Sequence, residues 1–175
     1  PTGPNYWNEP ENWTLGTAPA NSEDVVLRGE VDIKFGLSNA AINPAKLIAD
    51  ANYTGEVGLP RWNSLGYYEY RDTAMRLCTD GSGPASMTIE VGEGDGEGSP
   101  LFRLNTGNKL VYGFVKKTGS SSEANQPAFN WIGTHASSEW DVLRGDVGIA
   151  AFPGEVATFV TLRMSAIDSV ESDAQ

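Results

Sequence analysis

Val26-Leu27-Arg28-Gly29-Glu30-Val31-Asp32-Ile33 is nearly repeated 116 residues later, as Val142-Leu143-Arg144-Gly145-Asp146-Val147-Gly148-Ile149. Six of the eight positions are identical, and the fifth exchanges Glu for Asp. Each copy joins a short apolar strand, an Arg-Gly-acid turn and a period-two alternation of apolar residues, which is typical of β-structure. The residues around the copies do not repeat. The pair therefore predicts two equivalent strand-turn-strand units within one β scaffold.

The turn inside each copy has a simple physical interpretation. Gly29 and Gly145 are expected to allow the sharp corner, because glycine adopts backbone conformations that other residues avoid. Arg28 and Arg144 are expected to pair with a nearby acid. The two copies thus indicate repetitive β architecture and carry no evident catalytic chemistry.

Strand signals dominate the rest of the chain. Short runs rich in Val, Ile, Thr and aromatic residues are separated by Gly, Pro, Asn or Asp, which predicts strands joined by turns. The predicted strands are 31–35, 66–70, 74–78, 87–91, 101–104, 110–114, 128–132 and 155–164. Residues 43–49 begin like a helix, with Asn43 before Pro44, but the pattern ends within two turns and also fits a strand.

This spacing of strands predicts the fold class. The spacing alone suits an all-β sandwich, barrel or β-solenoid. Our expectation is a single all-β domain built as a short parallel β-helix or β-solenoid, with stacked Val, Ile and Leu positions in its core. A β-sandwich or jelly roll is the alternative. Residues 1–22 are predicted to form an N-terminal arm or cap, 23–164 the β domain, and 165–175 an acidic C-terminal tail.

Charge and cysteine content limit the possible partners. With 12 basic and 23 acidic residues among 175, the chain carries a formal net charge of −11. Such a charge repels phosphate backbones and anionic lipid surfaces, so we expect no binding to nucleic acid or membranes. One cysteine, Cys78, excludes an internal disulfide framework. The N-terminal residues lack the basic and apolar regions of a signal peptide, which favours synthesis without secretion.

Three features were weighed as chemical sites. The segment Gly92–Gly98 interleaves three carboxylates with four glycines, but it lacks the ligand order of a calcium loop and fits a solvated turn better. His135 is the single histidine, and no partner spacing marks it as a catalytic base or zinc ligand. Glu69 is the one acid in an aromatic setting, and with nearby acids it is the candidate for glycoside hydrolysis if the chain acts on carbohydrate. The sequence therefore predicts no catalytic residue, no metal site and no cofactor.

Aromatic residues mark two candidate partner-binding segments. Tyr, Trp and Arg are the residue types that anchor protein interfaces, and aromatic faces also stack on sugars. The predicted partner-binding residues are Tyr6, Trp7 and Trp13 in the N-terminal arm, and Arg61, Trp62, Tyr67, Tyr68 and Tyr70 in the middle of the chain.

A series of motifs, in order along most of the chain, resembles a known group of proteins. The motifs are Asn12-Trp13 with Asp24-Val25-Val26, Val31-Asp32-Ile33 with Phe35-Gly36-Leu37, residues 54–60, 66–71 and 92–98, Trp131-Ile132-Gly133-Thr134-His135-Ala136-Ser137, and residues 152–158. With these motifs the chain resembles uncharacterised β-rich structural proteins of tailed phages, of the head decoration or cement type.

The resemblance implies a function without catalysis. It implies a virion structural protein that binds and stabilises the phage head surface, with the major capsid protein as partner and assembly in the host cytoplasm. It also implies a homo-oligomer, with a trimer as one option. The alternative hypothesis is a carbohydrate-binding or carbohydrate-cleaving β-helix on a phage or cell surface, with Trp62 and residues 67–70 as its sugar platform.

Overall fold

The protein is built from β-strands. The computed structural model describes residues 3–34, 43–59, 74–77, 84–94, 96, 98, 101–121 and 126–165. These residues contain no α-helix and one 3-10 turn, Pro10–Asn12. The strands are β1 Asp24–Leu27, β2 Lys46–Asp50, β3 Glu56–Val57, β4 Met75–Arg76, β5 Ser86–Glu93, β6 Leu101–Asn105, β7 Leu110–Val115, β8 Phe129–Ile132, β9 Glu139–Val142, β10 Val147–Ile149 and β11 Thr161–Met164. The predicted all-β class is confirmed.

The strands form two sheets in which every described pairing is parallel. Sheet 1 has the order β1-β2-β5-β7-β9-β11, and sheet 2 has the order β10-β8-β6-β3, with β4 also pairing with β6. From β5 onward the chain alternates between the sheets, and in each sheet successive strands lie side by side. Sandwiches and jelly rolls pair antiparallel strands, so this pairing pattern differs from that alternative.

The two repeated segments occupy equivalent places. The first leaves β1 in sheet 1, turns at Gly29 with φ +68°, and reaches Ile33, which bridges Val57 of sheet 2. The second leaves β9 in sheet 1, turns at Gly145 with φ +131°, and enters β10 of sheet 2. Positive φ favours glycine at both corners. The repeated sequence thus encodes the same passage from sheet 1 to sheet 2 at two places along the chain.

The core lies between the sheets and is built from side chains at alternate strand positions. In β7 and β9 every second residue is buried, as expected for strands with one face on a core. A row of aromatic rings crosses several strands: Tyr53 meets Phe102 at a centroid distance of 6.0 Å, Phe102 meets Phe129 at 5.9 Å, and Phe129 meets Trp140 at 5.3 Å. Such tilted contacts stabilise beyond the area that they bury.

Gly113, in the middle of β7, is enclosed by the indole ring of Trp140. A β-carbon added at Gly113 would overlap three atoms of that ring, and Trp140 is fully buried. We expect Gly113→Ala to lower the free energy of unfolding by about 1–3 kcal/mol, because a packed core cannot take an extra methyl group without moving side chains. Urea denaturation followed by circular dichroism measures this change.

Gly3→Ala is the matched control for that substitution. A β-carbon at Gly3 lies 3.4 Å from its nearest neighbour, a carbon of the Tyr6 ring, which is ordinary contact. We expect an effect within about 0.5 kcal/mol at this position. Equal effects of the two glycine substitutions would contradict the close packing of Gly113 against Trp140.

Four predicted strands agree closely with the structure. Residues 87–91, 101–104, 110–114 and 128–132 lie almost entirely within β5, β6, β7 and β8. The ambiguous segment 43–49 contains most of β2, whose residues alternate in burial as a strand requires. Of the described residues 74–77, Met75–Arg76 form a strand, and residues 66–70 and Cys78 lie outside the described part of the chain.

Two predicted strands were too long. Of the described residues 31–34, Ile33 makes a single bridge to Val57, because the preceding residues form the corner between the sheets, and Phe35 lies outside the described residues. Of residues 155–164, only Thr161–Met164 is a strand. Glu155, the first residue of the predicted strand, instead accepts hydrogen bonds from side chains of sheet 2. Ala157 makes one bridge to Gly133.

Candidate interaction surfaces

The N-terminal residues form a cap beside β1, the strand at one end of sheet 1. The rings of Trp7 and Trp13 meet edge to face at a centroid distance of 4.9 Å. Trp7 Nε1 donates to the carbonyl oxygen of Pro19 at 3.1 Å, and Trp13 Nε1 donates to that of Trp7 at 2.7 Å. Lys34 N donates to the carbonyl oxygen of Asn5 at 3.0 Å, which ties the cap to the sheet region. Both indole N–H groups are therefore satisfied within the cap, as expected for tryptophans that are buried or partly buried.

A groove of about 390 Å³ lies between this cap and β1. Its walls include Trp13 and Leu15 from the cap and Val26, Val31 and Ile33 from the first repeated segment. Leu15 is 87% exposed, while Val26 and Val31 are 41% and 39% exposed. Val26 faces outward because its neighbours Val25 and Leu27 point into the core. We name this surface the N-terminal groove.

Charged side chains border the N-terminal groove. Glu23, Asp24 and Arg28 also contribute to its lining. The Oε2 atom of Glu23 accepts a hydrogen bond from Ala20 N at 2.8 Å, and Arg28 lies 3.6 Å from Asp50. The rim is therefore more acidic than basic, in keeping with the net charge of the chain. An apolar floor with a charged rim is the usual composition of a protein interface.

At the opposite end of the two sheets, where β10 and β11 lie, apolar side chains line a surface cavity. A cavity of about 300 Å³ is lined by Val142, Val147, Ile149, Ala150, Ala157, Phe159, Leu162 and Met164. Val160 is 63% exposed and Met164 is 51% exposed. Among the described residues, β11 ends the strand order of sheet 1 and pairs with β9. We name this surface, from Val156 to Met164 with the cavity beside it, the C-terminal end.

An ion pair fixes the outer face of sheet 1 at the C-terminal end. Arg163 contacts both carboxylate oxygens of Asp141 and lies 3.6 Å from Glu139. The hydrogen bonds and negative charge of Asp141 raise the pKa of the Arg163 guanidinium, so this side chain stays cationic. Because the group is fully exposed, the pair contributes little to stability.

A buried polar cluster holds the segment 150–156 against sheet 2. Arg103 lies between the core residues Phe102 and Leu104, so its side chain leaves the opposite face of the sheet. Its Nη2 donates to Glu155 Oε1 at 2.7 Å, and Asn130 Nδ2 donates to Glu155 Oε2 at 2.9 Å. The Arg103 and Glu155 side chains are 1% and 6% exposed. The cluster therefore positions the segment that leads to the C-terminal end.

A second polar group lies near the first corner. Lys34 Nζ is 2.6 Å from Glu56 and 3.2 Å from Asp32. Burial lowers the pKa of Lys34, but hydrogen bonds and charge from the two carboxylates outweigh it and raise the pKa overall. Burial, together with the same two carboxylates, raises the pKa of the Tyr53 phenol, which donates to the carbonyl oxygen of Val31 at 2.7 Å. Both groups keep their protons at neutral pH and serve as structural contacts.

The described residues bring together no cluster suited to metal binding. No group of three His, Cys, Asp or Glu side chains with that geometry occurs among them. His135 Nδ1 accepts a hydrogen bond from Ser137 N at 3.2 Å, within its own turn. Of the other residues weighed as chemical sites, Glu69, Cys78, Asp95 and Glu97 lie outside the described part of the chain.

The structure assembles one of the two predicted aromatic segments. Tyr6, Trp7 and Trp13 lie together in the cap, but Trp7 is only 2% exposed and therefore packs the protein's own core. Trp13 is partly buried and lines the N-terminal groove. Arg61, Trp62, Tyr67, Tyr68 and Tyr70 lie outside the described residues.

Sequence reasoning did not identify the exposed apolar residues at either end. Leu15 lies in a polar segment with no periodicity, and Val160 and Met164 resemble ordinary strand residues. Leu15 is exposed beside β1, and Val160 and Met164 are exposed at β11, so these residues lie at the two ends of sheet 1. One available signal was Val25-Val26-Leu27, where three consecutive apolar residues place Val26 on the outer face.

No described helix is long and apolar enough to cross a bilayer. Comparisons of the chain with protein-family models, curated proteins and solved structures found no match.

Proposed function

We propose that this chain is a non-enzymatic virion structural protein that decorates and cements the head of a tailed phage. Its partner is the major capsid protein, its location is the outer capsid surface, and it assembles in the host cytoplasm as a homo-oligomer, a trimer being one option. The N-terminal groove carries the proposal, because it is a preformed apolar surface on a rigid β scaffold.

The proposal includes a specific architecture, a short parallel β-solenoid. The support is the alternation of the chain between two all-parallel sheets, with sequential strands adjacent in each. The repeated corners at Gly29 and Gly145 also support it, since solenoids reuse one local structure at each level. A stack of this kind presents its two ends as separate contact surfaces.

The N-terminal groove supports protein binding in three ways. Leu15 is 87% exposed on an ordered cap, so little conformational entropy is lost when a partner covers it. Val26 and Val31 extend the apolar floor beside it. The acidic rim contributed by Glu23 and Asp24 suits a partner surface with basic residues around an apolar projection.

The test is co-sedimentation of the purified full chain with assembled capsids at micromolar concentration. We expect Leu15→Asp to weaken capsid binding by about 30-fold or more, since loss of a central apolar anchor amounts to about 2 kcal/mol or more. Ala136→Asp is the matched control, because it adds the same charge in another exposed turn. Imaging of the pelleted particles locates the bound chain.

The outcomes separate the two hypotheses. Failure of the unmodified chain to pellet with capsids would overturn capsid decoration. Binding to polysaccharide without binding to capsids would favour the carbohydrate hypothesis, for which Trp62→Ala and Glu69→Gln are the informative variants. Equal capsid binding by Leu15→Asp and Ala136→Asp would remove the N-terminal groove as the contact.

A further inference from the structure

We propose that the C-terminal end binds the same end of a second copy of this chain, with the two β11 strands pairing antiparallel across a twofold axis. The inference specifies the contact for the homo-oligomer and so rests on that part of the proposed function. It does not require the capsid, so the experiment below uses the purified chain alone.

The first argument is the open edge of β11. Parallel pairing with β9 uses one edge of this strand, and Ser165 N, just after the strand, donates to the carbonyl oxygen of Val142 at 2.9 Å on that side. Because backbone N–H groups alternate between the two edges of a strand, those of Leu162 and Met164 point away from β9. No described strand pairs with that edge. An open edge is a template for another strand.

The second argument is the exposed apolar surface beside that edge. Val160, Leu162 and Met164 share one face of the strand, and the last two line the cavity at the C-terminal end. Leu162 packs against the core, whereas Val160 is 63% and Met164 is 51% exposed. A second copy would therefore cover apolar surface and pair backbone groups with the same contact.

The third argument is the difference between the two ends of the stack. At the N-terminal end the cap contributes Trp7 to the core and packs Trp13 against it. The described residues include no such cap beyond β11. Head-to-tail stacking would place the C-terminal end against the cap, whereas tail-to-tail contact joins two ends at which the described residues form no cap. The favoured assembly is thus a closed dimer, not a filament.

Charge selects the register of the pairing. If the twofold axis is perpendicular to the sheet, the core-facing side chains of both copies lie on the same side. The axis can then pass beside Leu162 or beside Arg163, and that residue faces its own copy across the axis. Centring on Arg163 would oppose two guanidinium groups, which is destabilising. Centring on Leu162 places Val160 opposite Met164 of the second copy and Thr161 opposite Arg163 of the second copy. Asp141 continues to neutralise Arg163 in this arrangement.

The test is sedimentation equilibrium of the full chain from about 1 to 100 μM, the concentration range of many weak to moderate protein contacts. We expect a monomer–dimer equilibrium, and we expect Val160→Asp to raise its dissociation constant at least 10-fold. Leu15→Asp adds the same charge at the opposite end and should leave the dimer unchanged. Thermal melts of both variants show that they remain folded.

A cysteine variant tests the register. In a Cys78→Ser background, Leu162→Cys should form an intermolecular disulfide, because residues facing each other across the axis have Cα atoms within bridging distance. Arg163→Cys should cross-link more slowly. A monomer at 100 μM, a trimer, a filament, or an unchanged dimer in Val160→Asp would each overturn the proposal. None of these outcomes bears on capsid binding through the N-terminal groove.

Discussion

Replacing Glu155 with alanine is expected to lower the free energy of unfolding by about 3–5 kcal/mol, because it removes the carboxylate that pairs with the buried Arg103 guanidinium. The Arg103 side chain is 1% exposed, so water cannot take the place of the carboxylate. The same substitution removes the acceptor of the Asn130 side-chain amide and of Phe152 N. Urea denaturation followed by tryptophan fluorescence measures the loss.

Two further variants separate loss of the pair from loss of charge. Asp141→Ala breaks the exposed pair with Arg163 and is expected to change stability by less than about 1 kcal/mol. The double variant Arg103→Met with Glu155→Leu removes both buried charges and should be more stable than Glu155→Ala alone. If Glu155→Ala and Asp141→Ala were equally mild, the buried cluster would not be what holds the segment 150–156.

The consequence of this cluster extends to the C-terminal end. Residues 150–156 lie between β10 and the bridge of Ala157 to Gly133, so their attachment sets where the chain returns to sheet 1 as β11. Glu155→Ala is therefore expected to loosen β11 as well as to lower global stability. Hydrogen exchange at β11 amides, compared with those of β5, detects the difference.

The alternation of apolar residues was sufficient to predict much of the fold. Residues 87–91 and 110–114 alternate over five positions, and both segments are central strands of sheet 1. The near-repeat at Gly29 and Gly145 predicted two equivalent corners, which the structure contains. These features depend on neighbours in sequence, and local pattern carries that information.

Long-range partnership could not be predicted in the same way. Arg103 and Glu155 are 52 residues apart, and nothing near Glu155 indicates that its carboxylate meets a guanidinium. The alternation of apolar residues extends the predicted last strand back to residue 155. In the structure, Glu155 instead belongs to the buried polar cluster with Arg103 and Asn130. The exposure of Leu15 and Met164 could not be predicted either, because it depends on their position at the two ends of sheet 1.

The aromatic cap was predicted in composition but not in packing. Tyr6, Trp7 and Trp13 were assigned to partner binding because these residue types anchor interfaces. In the folded chain Trp7 is enclosed by its own core and bonded to Pro19. Trp13 and Leu15 contribute apolar surface from the cap to the N-terminal groove, and Leu15 is the more exposed of the two, which makes it the informative position for partner binding.

Trp140→Ala is expected to lower the free energy of unfolding by about 3–5 kcal/mol, because it leaves a cavity where a fully buried indole contacts two other aromatic rings. The indole of Trp140 is fully buried and meets Phe129 at 5.3 Å and Trp131 at 5.1 Å between ring centroids. It also fills the space beside Gly113, where an added β-carbon would overlap the indole ring. Thermal and urea unfolding of the variant measure the loss.

Phenylalanine substitutions at the two neighbouring tryptophans test how this row is held. Trp131 Nε1 donates to Thr106 Oγ1 at 2.9 Å, whereas Trp140 Nε1 is buried and has no acceptor among the described residues. Trp131→Phe therefore loses a buried hydrogen bond, while Trp140→Phe removes an unsatisfied donor. We expect Trp131→Phe to be the more destabilising by about 1–2 kcal/mol. Equal losses, or the reverse order, would mean that packing alone decides the stability of these two positions.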